Sequence, residues 1–495
     1  GTVITSEDGP NTGSFRFVID DKAHVRKGQF VQLDTHEGLM ICRVSEVFKT
    51  NHYFERAESV SEYQKSGRPL MEQFPVGRWE YTVAEAVPLG IYSNGGQHRS
   101  SFPPSPGDKV HSADESLLAD FFGFDGNDGV KVGKVEFHEV PANLNLTKLF
   151  QKHLAILAMS GAGKSYTAGV LMEEILERRD ELGKPAIIVF DPHGEYAGFA
   201  EGKYGSMVNV FSSENIAVAT NKLSITNIGE LIPQMSAVQR RELLPIINKL
   251  RETKRVYTLF DVISEVENSD INPKTKIPMI SWLADLNYTG LFESIEKPSI
   301  ETIAQPGKLN IFDLSDFVHL KQRQIVVAYF AKKLFEARRQ GKIPPFIMFV
   351  EEAHQFAPGG EEEERAVSRG VIEQIAREGR KFHACMTLIT QRPKRLSITA
   401  LSQCNTNIIL RITNPMDLKH IEESSEGISR DVLDMIPGLK VGEALVVGEA
   451  VNYPVLIKVR QRNSVNSDRG VRLEDAIAKY KLGKSLDAAD MEAFM

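Results

Sequence analysis

One short stretch, residues 158–165 with the sequence AMSGAGKS, restricts the folds open to this chain more than any other. An apolar run at residues 153–157 precedes it, and a helical pattern begins at Tyr166. A strand, a loop of small residues, then Gly-Lys-Ser and a helix form the layout of a phosphate-binding P-loop. The first motif position is Ala158, where the pattern asks for Gly. The alternative is a chance match between a core strand and a helix.

The residues of this loop are typical of an anion-binding site. The loop's backbone N–H groups and the N-terminus of the following helix point at one spot and favour an anion there. Lys164 can reach the outer phosphates, and the Ser165 hydroxyl can take a place on Mg²⁺. The predicted nucleotide-binding residues are Ser160, Gly161, Ala162, Gly163, Lys164, Ser165 and Tyr166.

A P-loop needs an acidic partner at the end of another strand, and the segment FIMFVEEAHQF supplies one. Its apolar run ends at Glu351 and Glu352. In a P-loop enzyme the first acid of such a pair helps to hold Mg²⁺, and the second can orient or deprotonate the attacking water. We therefore predict Glu351 as a metal residue and Glu352 as the general base, although Asp is usual at the first position. An acidic pair that complements a helix dipole is the alternative.

Basic residues and a glutamine flank another predicted strand, ACMTLIT. Gln391 follows its end, where an amide can hydrogen-bond the attacking water or sense a γ-phosphate. Arg377, Arg380 and Lys381 precede it. An arginine supplied to a neighbouring subunit's site would stabilise charge on the phosphoryl group. A solvated basic helix end is the competing interpretation.

Two more strand ends carry acids. Asp191, His193 and Glu195 lie in FDPHGEY, where they either face a nucleotide crevice or shape a turn. Asp313 also ends an apolar strand, but no second acid follows it. It is therefore a weaker candidate than Glu351 for the acidic partner.

The bulk properties exclude several classes of protein. The net charge of −7 argues against an outer surface that coats nucleic acid, but not against binding in an enclosed channel. Cys42, Cys385 and Cys404 form no metal spacing and no disulfide framework, which suits a reducing cytoplasm; we interpret Cys385 and Cys404 as core residues. No apolar run could span a bilayer, and no signal peptide is evident, so we expect a cytoplasmic protein without membrane contact.

The N-terminal part of the chain has a β pattern. Residues 1–90 contain short runs rich in β-branched and aromatic residues, separated by turns, which predicts a small barrel or sandwich. Residues 91–129 are rich in Gly, Pro and Ser and are predicted to be a linker with one short helix.

The remainder alternates apolar strands with helices, which predicts an α/β core with a parallel sheet over residues 130–221 and 301–460. Residues 222–300 are predicted to be a helical insertion, and residues 461–495 a polar tail. The strand candidates of the core lie at residues 153–158, 186–191, 308–314, 346–351, 384–390 and 407–412, and two further candidates at residues 443–449 and 454–460 close it.

Taken in order, LTKLFQKHLAILAMSGAGKS, DPHGEY, IMFVEEAHQF and AREGRKFHACMTLITQRP resemble the HerA–FtsK family of P-loop ATPases, in particular its archaeal members. The resemblance implies a RecA-like ATPase core, preceded by a barrel that this family calls the HAS barrel. It implies ATP and Mg²⁺ as cofactors, bound by Lys164 and Ser165. It also implies Glu352 as the catalytic acid, Gln391 as the γ-phosphate sensor and Arg380 as the trans-acting arginine.

The same resemblance implies a ring-shaped homohexamer that threads double-stranded DNA and moves along it with ATP. It implies a partner nuclease, NurA, and a role in DNA end resection for recombinational repair. Other hypotheses stay open: a DNA-pumping or peptide-threading ring ATPase of the FtsK type, a nucleotide-gated DNA clamp that does not translocate, and a rotary ATPase subunit, for which the C-terminal part is short.

Overall fold

The computed structural model describes residues 1–5, 9–51, 60–61, 65, 80–93, 96–254, 256–360, 366–425, 428–465, 467, 474 and 477–478. The chain forms two compact units. The first comprises Gly1–Leu144 and Val451–Val459, and the second comprises Asn145–Ala450 and the chain from Arg460 onward. Most of the predicted polar tail lies outside the described residues.

The first unit begins with short strands that form one antiparallel sheet. These are β1 (Thr2–Ile4), β2 (Phe15–Val18), β3 (Phe30–Thr35), β4 (Gly38–Asn51), β5 (Glu80–Ser93), β6 (Gly96–His98) and β7 (His111–Ser112). Their spatial order is β1-β2-β5-β4-β3-β7, and β6 pairs with β5. Phe15 and Phe17 of β2 are buried while Arg16 between them is exposed, so one face of the sheet covers a core.

The two edges of this sheet meet. The Val3 N–H on edge strand β1 donates to the Asp108 carbonyl (2.9 Å), and the Val110 N–H donates to the Gly1 carbonyl (3.0 Å). Asp108 and Val110 immediately precede β7, the strand at the other edge. The sheet therefore closes on itself, as the predicted small barrel requires.

The segment predicted to be a linker, residues 91–129, is part of this architecture. It contributes the end of β5, all of β6 and β7, and the expected short helix, α1 (Glu115–Phe122). Helix α1 begins where the Asp114 carboxylate accepts from two backbone N–H groups, and it ends at Gly123 with a left-handed backbone (φ 73°). Strands of two or three residues are too short to show an alternating pattern, so the sequence does not reveal them.

Three further strands belong to the first unit. Strands β8 (Val130–Val135) and β9 (Pro141–Leu144) form an antiparallel pair, and the chain returns to this unit much later with β20, as described below. The sequence assigns residues from 130 onward to the α/β core, whereas the structure groups β8 and β9 with the barrel unit. Their burial alternates, with Lys131 and Lys134 exposed, as in a strand with only one covered face.

The second unit is built on a mostly parallel sheet. Its strands are β10 (Leu154–Leu157), β11 (Ala186–Asp191), β12 (Val208–Phe211), β15 (Leu309–Asp313), β16 (Phe346–Val350), β17 (Ala384–Thr390), β18 (Thr406–Ile409) and β19 (Glu443–Gly448), while β13 (Val218–Ala219) and β14 (Phe292–Glu293) pair separately. The order is β12-β15-β11-β16-β17-β10-β18-β19, and only β19 runs antiparallel. The central strands are buried along their whole length, which explains their continuous apolar runs.

All eight predicted strands are present, which confirms the α/β class, but the last of them belongs to the first unit and not to the core. Strand β12 was not predicted; it lies at the end of the sheet, and its four residues are only half-buried. Strand β20 (Val455–Val459) pairs antiparallel with β8 in the first unit. All three cysteines are buried and unpaired.

Helices surround this sheet. They are α2 (Leu146–Phe150), α3 (Lys164–Glu177), α4 (Ile225–Leu231), α5 (Ala237–Thr253), α6 (Leu259–Glu267), α7 (Pro273–Tyr288), α8 (Ile300–Ile303), α9 (Leu320–Arg339), α10 (Arg369–Glu378), α11 (Ile398–Leu401), α12 (Pro415–Ser424) and α13 (Arg430–Leu433). Helices α4 to α7 occupy the predicted insertion, residues 222–300. Among the described residues, every helix is too short or too polar to cross a bilayer.

Candidate functional site

The P-loop connects β10 to α3, as its sequence predicts. The backbone bends at Gly161 (φ 76°) and at Gly163 (φ 102°), a left-handed conformation in which a side chain would be strained. Gly163 is also the N-cap of α3, so no side chain caps the first turn of that helix. The N–H groups of a first turn have no partner within the helix, and they remain available to an anion.

Strand order brings the other predicted residues to the same edge. Strand β17 lies between the P-loop strand β10 and the acidic strand β16. Leu157 is level with Thr390, and Val350 is level with Leu388. The parallel strands β10, β17, β16 and β11 therefore end side by side, at what we call the carboxyl edge.

Lys164 lies among the acids of this edge. Its side chain is only 10% exposed, and its Nζ is 2.5 Å from Glu351 Oε1 and 3.3 Å from Glu352 Oε1. Both glutamates are buried. Because a buried charge needs a partner, the acidic pair holds the ammonium group at the mouth of the P-loop.

Glu351 is held from both sides. Besides the contact of its Oε1 with Lys164, its Oε2 accepts a 2.7 Å hydrogen bond from the Tyr196 hydroxyl. Tyr196 is fully buried and follows β11. Both carboxylate oxygens of Glu351 are thus engaged by other side chains.

Glu352 has an unusual backbone. Its φ of 49° is in the left-handed region, which is uncommon for residues other than glycine and is often retained at functional sites. Its Oε2 lies 3.2 Å from His354 Nδ1, which is also 2.9 Å from Thr390 Oγ1 at the end of β17. The bend therefore places the second acid between the P-loop lysine and β17.

The FDPHGEY segment both shapes a turn and contributes to the site. The buried Asp191 carboxylate accepts from the backbone N–H groups of His193 (3.1 Å), Gly194 (2.9 Å) and Tyr196 (2.9 Å). The Ser165 hydroxyl donates to Glu195 Oε2. His193 is exposed, and the contact of this segment with the P-loop serine is made by Glu195.

Burial governs the protonation of these groups. Burial raises the pKa of Glu351 to about 7, against the opposing effect of Lys164, and raises the pKa of Asp191 to about 6. Burial disfavours the charged form of Lys164, but Glu351, Glu352 and Glu195 outweigh that effect, and its pKa is raised. Burial, with Arg392 and Arg395, lowers the pKa of His354 to about 4. His354 is therefore neutral at pH 7, and its contact with Glu352 is not an ion pair.

The structure separates the remaining predicted residues. Gln391 follows Thr390 directly and is half-buried at the carboxyl edge. Arg380 is exposed and lies in a 3-10 helix (Gly379–Phe382) before β17, at the opposite end of that strand. Asp313 Oδ1 accepts from the Ser315 N–H (3.0 Å) within its own turn, one strand further from the P-loop than Asp191.

The motif residues not yet placed line the loop itself. Ser160 and Gly161 are exposed, Ala162 is buried, and Tyr166 accepts a 2.6 Å hydrogen bond from the Arg462 N–H. Sequence reasoning missed Tyr196 and His354, although each stands within two residues of a selected or considered acid. It also did not select residues 460–465, which contact α3 and carry no motif.

The residues fit a Mg²⁺ ion held jointly with a nucleotide. Within the described part of the chain, no group of three His, Cys, Asp or Glu side chains could hold a metal alone. Mg²⁺ usually keeps several waters and takes one or two protein ligands together with phosphate oxygens. The Ser165 hydroxyl, with a carboxylate next to it, suits that arrangement.

Comparison with known proteins points to one family. Residues 130–334 match the model described as the central domain of the helicase HerA. The chain is 28% identical over 520 residues to the DNA double-strand break repair helicase HerA of Pyrococcus furiosus, covering 90% of each chain. It is 29% identical over 387 residues to the protein of the same name from Saccharolobus solfataricus, covering 72% of this chain and 73% of that one.

A solved structure shares the fold. VirB4 of Thermoanaerobacter pseudethanolicus superposes with a TM-score of 0.52 at 15% identity, covering 68% of this chain and 98% of the other. At that identity the match concerns the fold alone. It agrees with the mostly parallel sheet described above.

Proposed function

We propose, from the premise that this chain belongs to the HerA helicase family and hydrolyses ATP, that it is a homohexameric translocase on double-stranded DNA. In this proposal it acts with the nuclease NurA to resect DNA ends for recombinational repair. The observation that carries the proposal is the convergence of Lys164, Ser165, Glu352 and Gln391 at the carboxyl edge.

In this proposal each of these residues has a part that its position supports. The P-loop N–H groups and Lys164 bind the phosphates, and Ser165 with Glu351 serves the metal, as the motif predicts. Glu352, beside Lys164 and neutral His354, is placed to accept a proton from the attacking water. Gln391, between the P-loop and the acidic pair, is placed to orient that water. ATP would supply the phosphoryl group, and Mg²⁺ would neutralise part of the charge on it.

A ring would complete the site with a residue from the next subunit. Arg380 lies at the far end of β17 from the P-loop of its own chain. Seven strand residues span about 20 Å, which exceeds the reach of an arginine side chain. This position supports a role for Arg380 in a neighbour's site and not in its own.

The DNA part of the proposal is supported by the names of the relatives and by the exposed basic residues Arg392, Lys394 and Arg395 after β17. Contacts to phosphates would make DNA binding insensitive to sequence and sensitive to salt. Salt-insensitive binding with a strong sequence preference would contradict this.

ATP turnover measured with duplexes of increasing length tests the proposal. A translocase is expected to show ATPase activity that rises with duplex length to a plateau. Glu352→Gln should lower turnover by about 10²- to 10⁴-fold and leave nucleotide binding intact. Glu230→Gln, in an exposed ion pair with Lys332, is the matched control and should keep full turnover.

Other outcomes select other functions. Tight DNA binding with negligible turnover in the unchanged protein would favour the nucleotide-gated clamp. ATPase activity indifferent to duplex DNA but stimulated by an unfolded polypeptide would favour a peptide-threading ring.

The partnership with NurA has its own test. Resection of duplex ends by the mixture is expected to need ATP and to stop with Glu352→Gln. Equal resection by NurA alone would contradict the partnership, whatever the ATPase activity of the ring.

A further inference from the structure

The hydrogen bond between Ser165 and Glu195 gives the P-loop an acidic partner that the motif does not include. The Ser165 hydroxyl donates to Glu195 Oε2, and Glu195 stands in the turn that follows β11. A serine hydroxyl has one proton and two lone pairs. When the proton is directed to a carboxylate, a lone pair is free to face a cation.

The backbone of the turn that carries Glu195 is fixed by hydrogen bonds to Asp191. Asp191 accepts from backbone N–H groups on both sides of Glu195, those of Gly194 and Tyr196, at 2.9 Å each. Asp191 is fully buried, so these bonds are shielded from water. The backbone of Glu195 is thereby held independently of the Glu195 side chain.

Glu351, the acid that the motif assigns to the metal, is engaged elsewhere. Its two oxygens contact Lys164 Nζ at 2.5 Å and the Tyr196 hydroxyl at 2.7 Å. The two acids therefore have different partners: Glu351 contacts the P-loop lysine, and Glu195 contacts the P-loop serine.

We propose that Glu195 is a positioning residue for Mg²⁺, because its carboxylate accepts the hydrogen bond of the Ser165 hydroxyl and leaves an oxygen lone pair facing the ion. It does not need to touch the ion itself. Partners of this kind, which orient a metal ligand, typically change metal affinity by about 10- to 100-fold. This inference rests on the proposed function, since it assumes that the P-loop binds a nucleotide with Mg²⁺.

Nucleotide affinity with and without the metal is the test. The affinity of a fluorescent ADP analogue is measured in excess Mg²⁺ and in EDTA. Mg²⁺ should tighten binding to the unchanged protein, and Glu195→Ala should lose about 10- to 100-fold of that increase. Binding in EDTA should be unaltered, which also reports that the variant is folded. Ser165→Ala should lose the same part of the Mg²⁺-dependent gain in affinity. The double variant with Glu195→Ala should show no further loss of that gain.

Two comparisons sharpen the result. Glu195→Gln keeps a hydrogen-bond acceptor but loses the charge. Its increase in nucleotide affinity with Mg²⁺ should lie between those of the unchanged protein and Glu195→Ala. Glu201→Ala removes an exposed glutamate a few residues further on and should behave as the unchanged protein.

The outcomes separate this inference from the proposed function. If Glu195→Ala keeps the full Mg²⁺ effect while Ser165→Ala loses it, the role of Glu195 is overturned and the nucleotide site stands. A loss of ATP turnover in Glu195→Ala with an unchanged Mg²⁺ effect also overturns it, since that marks a part in the chemical step. If the unchanged protein binds the analogue in neither condition, the proposed function fails and this inference fails with it.

Discussion

Two acids at the carboxyl edge, Glu351 and Asp191, hold protons more tightly in the folded protein than in the unfolded chain. Burial raises the pKa of Glu351 from 4.5 to about 7 and that of Asp191 from 3.8 to about 6. For each acid, at a pH between its ordinary pKa and its raised pKa, the folded state binds more protons than the unfolded state. The free energy of unfolding contributed by these groups therefore falls as the pH rises through that window.

Glu351→Gln tests this linkage in the nucleotide-free protein. The amide can accept from Lys164 and donate to the Tyr196 oxygen, so the contacts are kept while the titration is lost. We expect the melting temperature of the variant, relative to the unchanged protein, to rise steadily from about pH 5 to about pH 8. The raised pKa of Lys164 does not affect this range, and the lowered pKa of buried His354 cancels in the comparison.

Melting curves followed by circular dichroism provide the measurement. Glu230→Gln, which removes an exposed carboxylate paired with Lys332, is the control and should give a difference independent of pH. A flat or falling difference for Glu351→Gln would show that Glu351 is ionised throughout this range.

The candidate site shows what a single sequence reveals about residues. Lys164, Ser165, Glu351, Glu352 and Gln391 were selected because each stands in a local pattern, a motif or the end of an apolar strand. Contacts made across the sheet leave no such pattern. The Tyr196–Glu351 hydrogen bond joins residues 155 positions apart, and no local sequence pattern near either residue predicts it.

At the scale of elements, the P-loop helix α3 is covered by residues 460–465, which we call the C-terminal strap. Arg460 Nη1 is 2.8 Å from Glu173 Oε2, and Arg460 Nε is 2.8 Å from Glu174 Oε1. Glu173 is fully buried and also accepts from the N–H groups of Asn463 (2.8 Å) and Ser464 (2.6 Å). The strap therefore neutralises a buried carboxylate on the helix that starts at the P-loop.

Arg460→Met should destabilise the protein markedly. The change leaves the Glu173 charge buried without its cation, and breaking such a pair costs about 3 to 5 kcal/mol in the free energy of unfolding. Adding Glu173→Gln should restore much of the loss, because the amide oxygen still accepts from Asn463 and Ser464 and no charge is buried. Urea denaturation followed by circular dichroism measures both changes.

An exposed ion pair supplies the comparison for that experiment. Lys203 is paired with Glu177 at the other end of α3 and is 61% exposed, so Lys203→Met should cost less than about 1 kcal/mol. If Arg460→Met costs no more than Lys203→Met, the strap does not stabilise α3 in the way described.

Element types were easier to predict than their grouping. Strands β10, β11, β16 and β17 are buried on both faces and give continuous apolar runs, so their positions follow from the sequence. Strands β6 and β7 have only three and two residues, and β7 is defined by its pairing with the distant strand β3. The strap has neither apolar periodicity nor a motif, so only its contacts reveal it.

At the scale of the whole molecule, the position of Arg380 makes a ring testable without a structure of the ring. Arg380 and Lys164 lie at opposite ends of β17 and β10, which are paired in register. An arginine that acts only on a neighbour's nucleotide can be lost from one subunit and supplied by another. Mixtures of two inactive variants therefore distinguish action between subunits from action within one.

Lys164→Ala and Arg380→Ala should each be inactive alone, the second by about 10³- to 10⁵-fold in turnover if Arg380 contacts the phosphoryl group. Mixed rings contain seams in which an intact P-loop faces an intact arginine, so mixing the two variants should restore part of the DNA-stimulated ATPase activity. Lys342→Ala, an exposed residue before β16 at the same end of the sheet as Arg380, should be active alone. If the mixture stays inactive although both proteins assemble into one ring, Arg380 acts within its own subunit or not at all, and another basic residue must serve the seam.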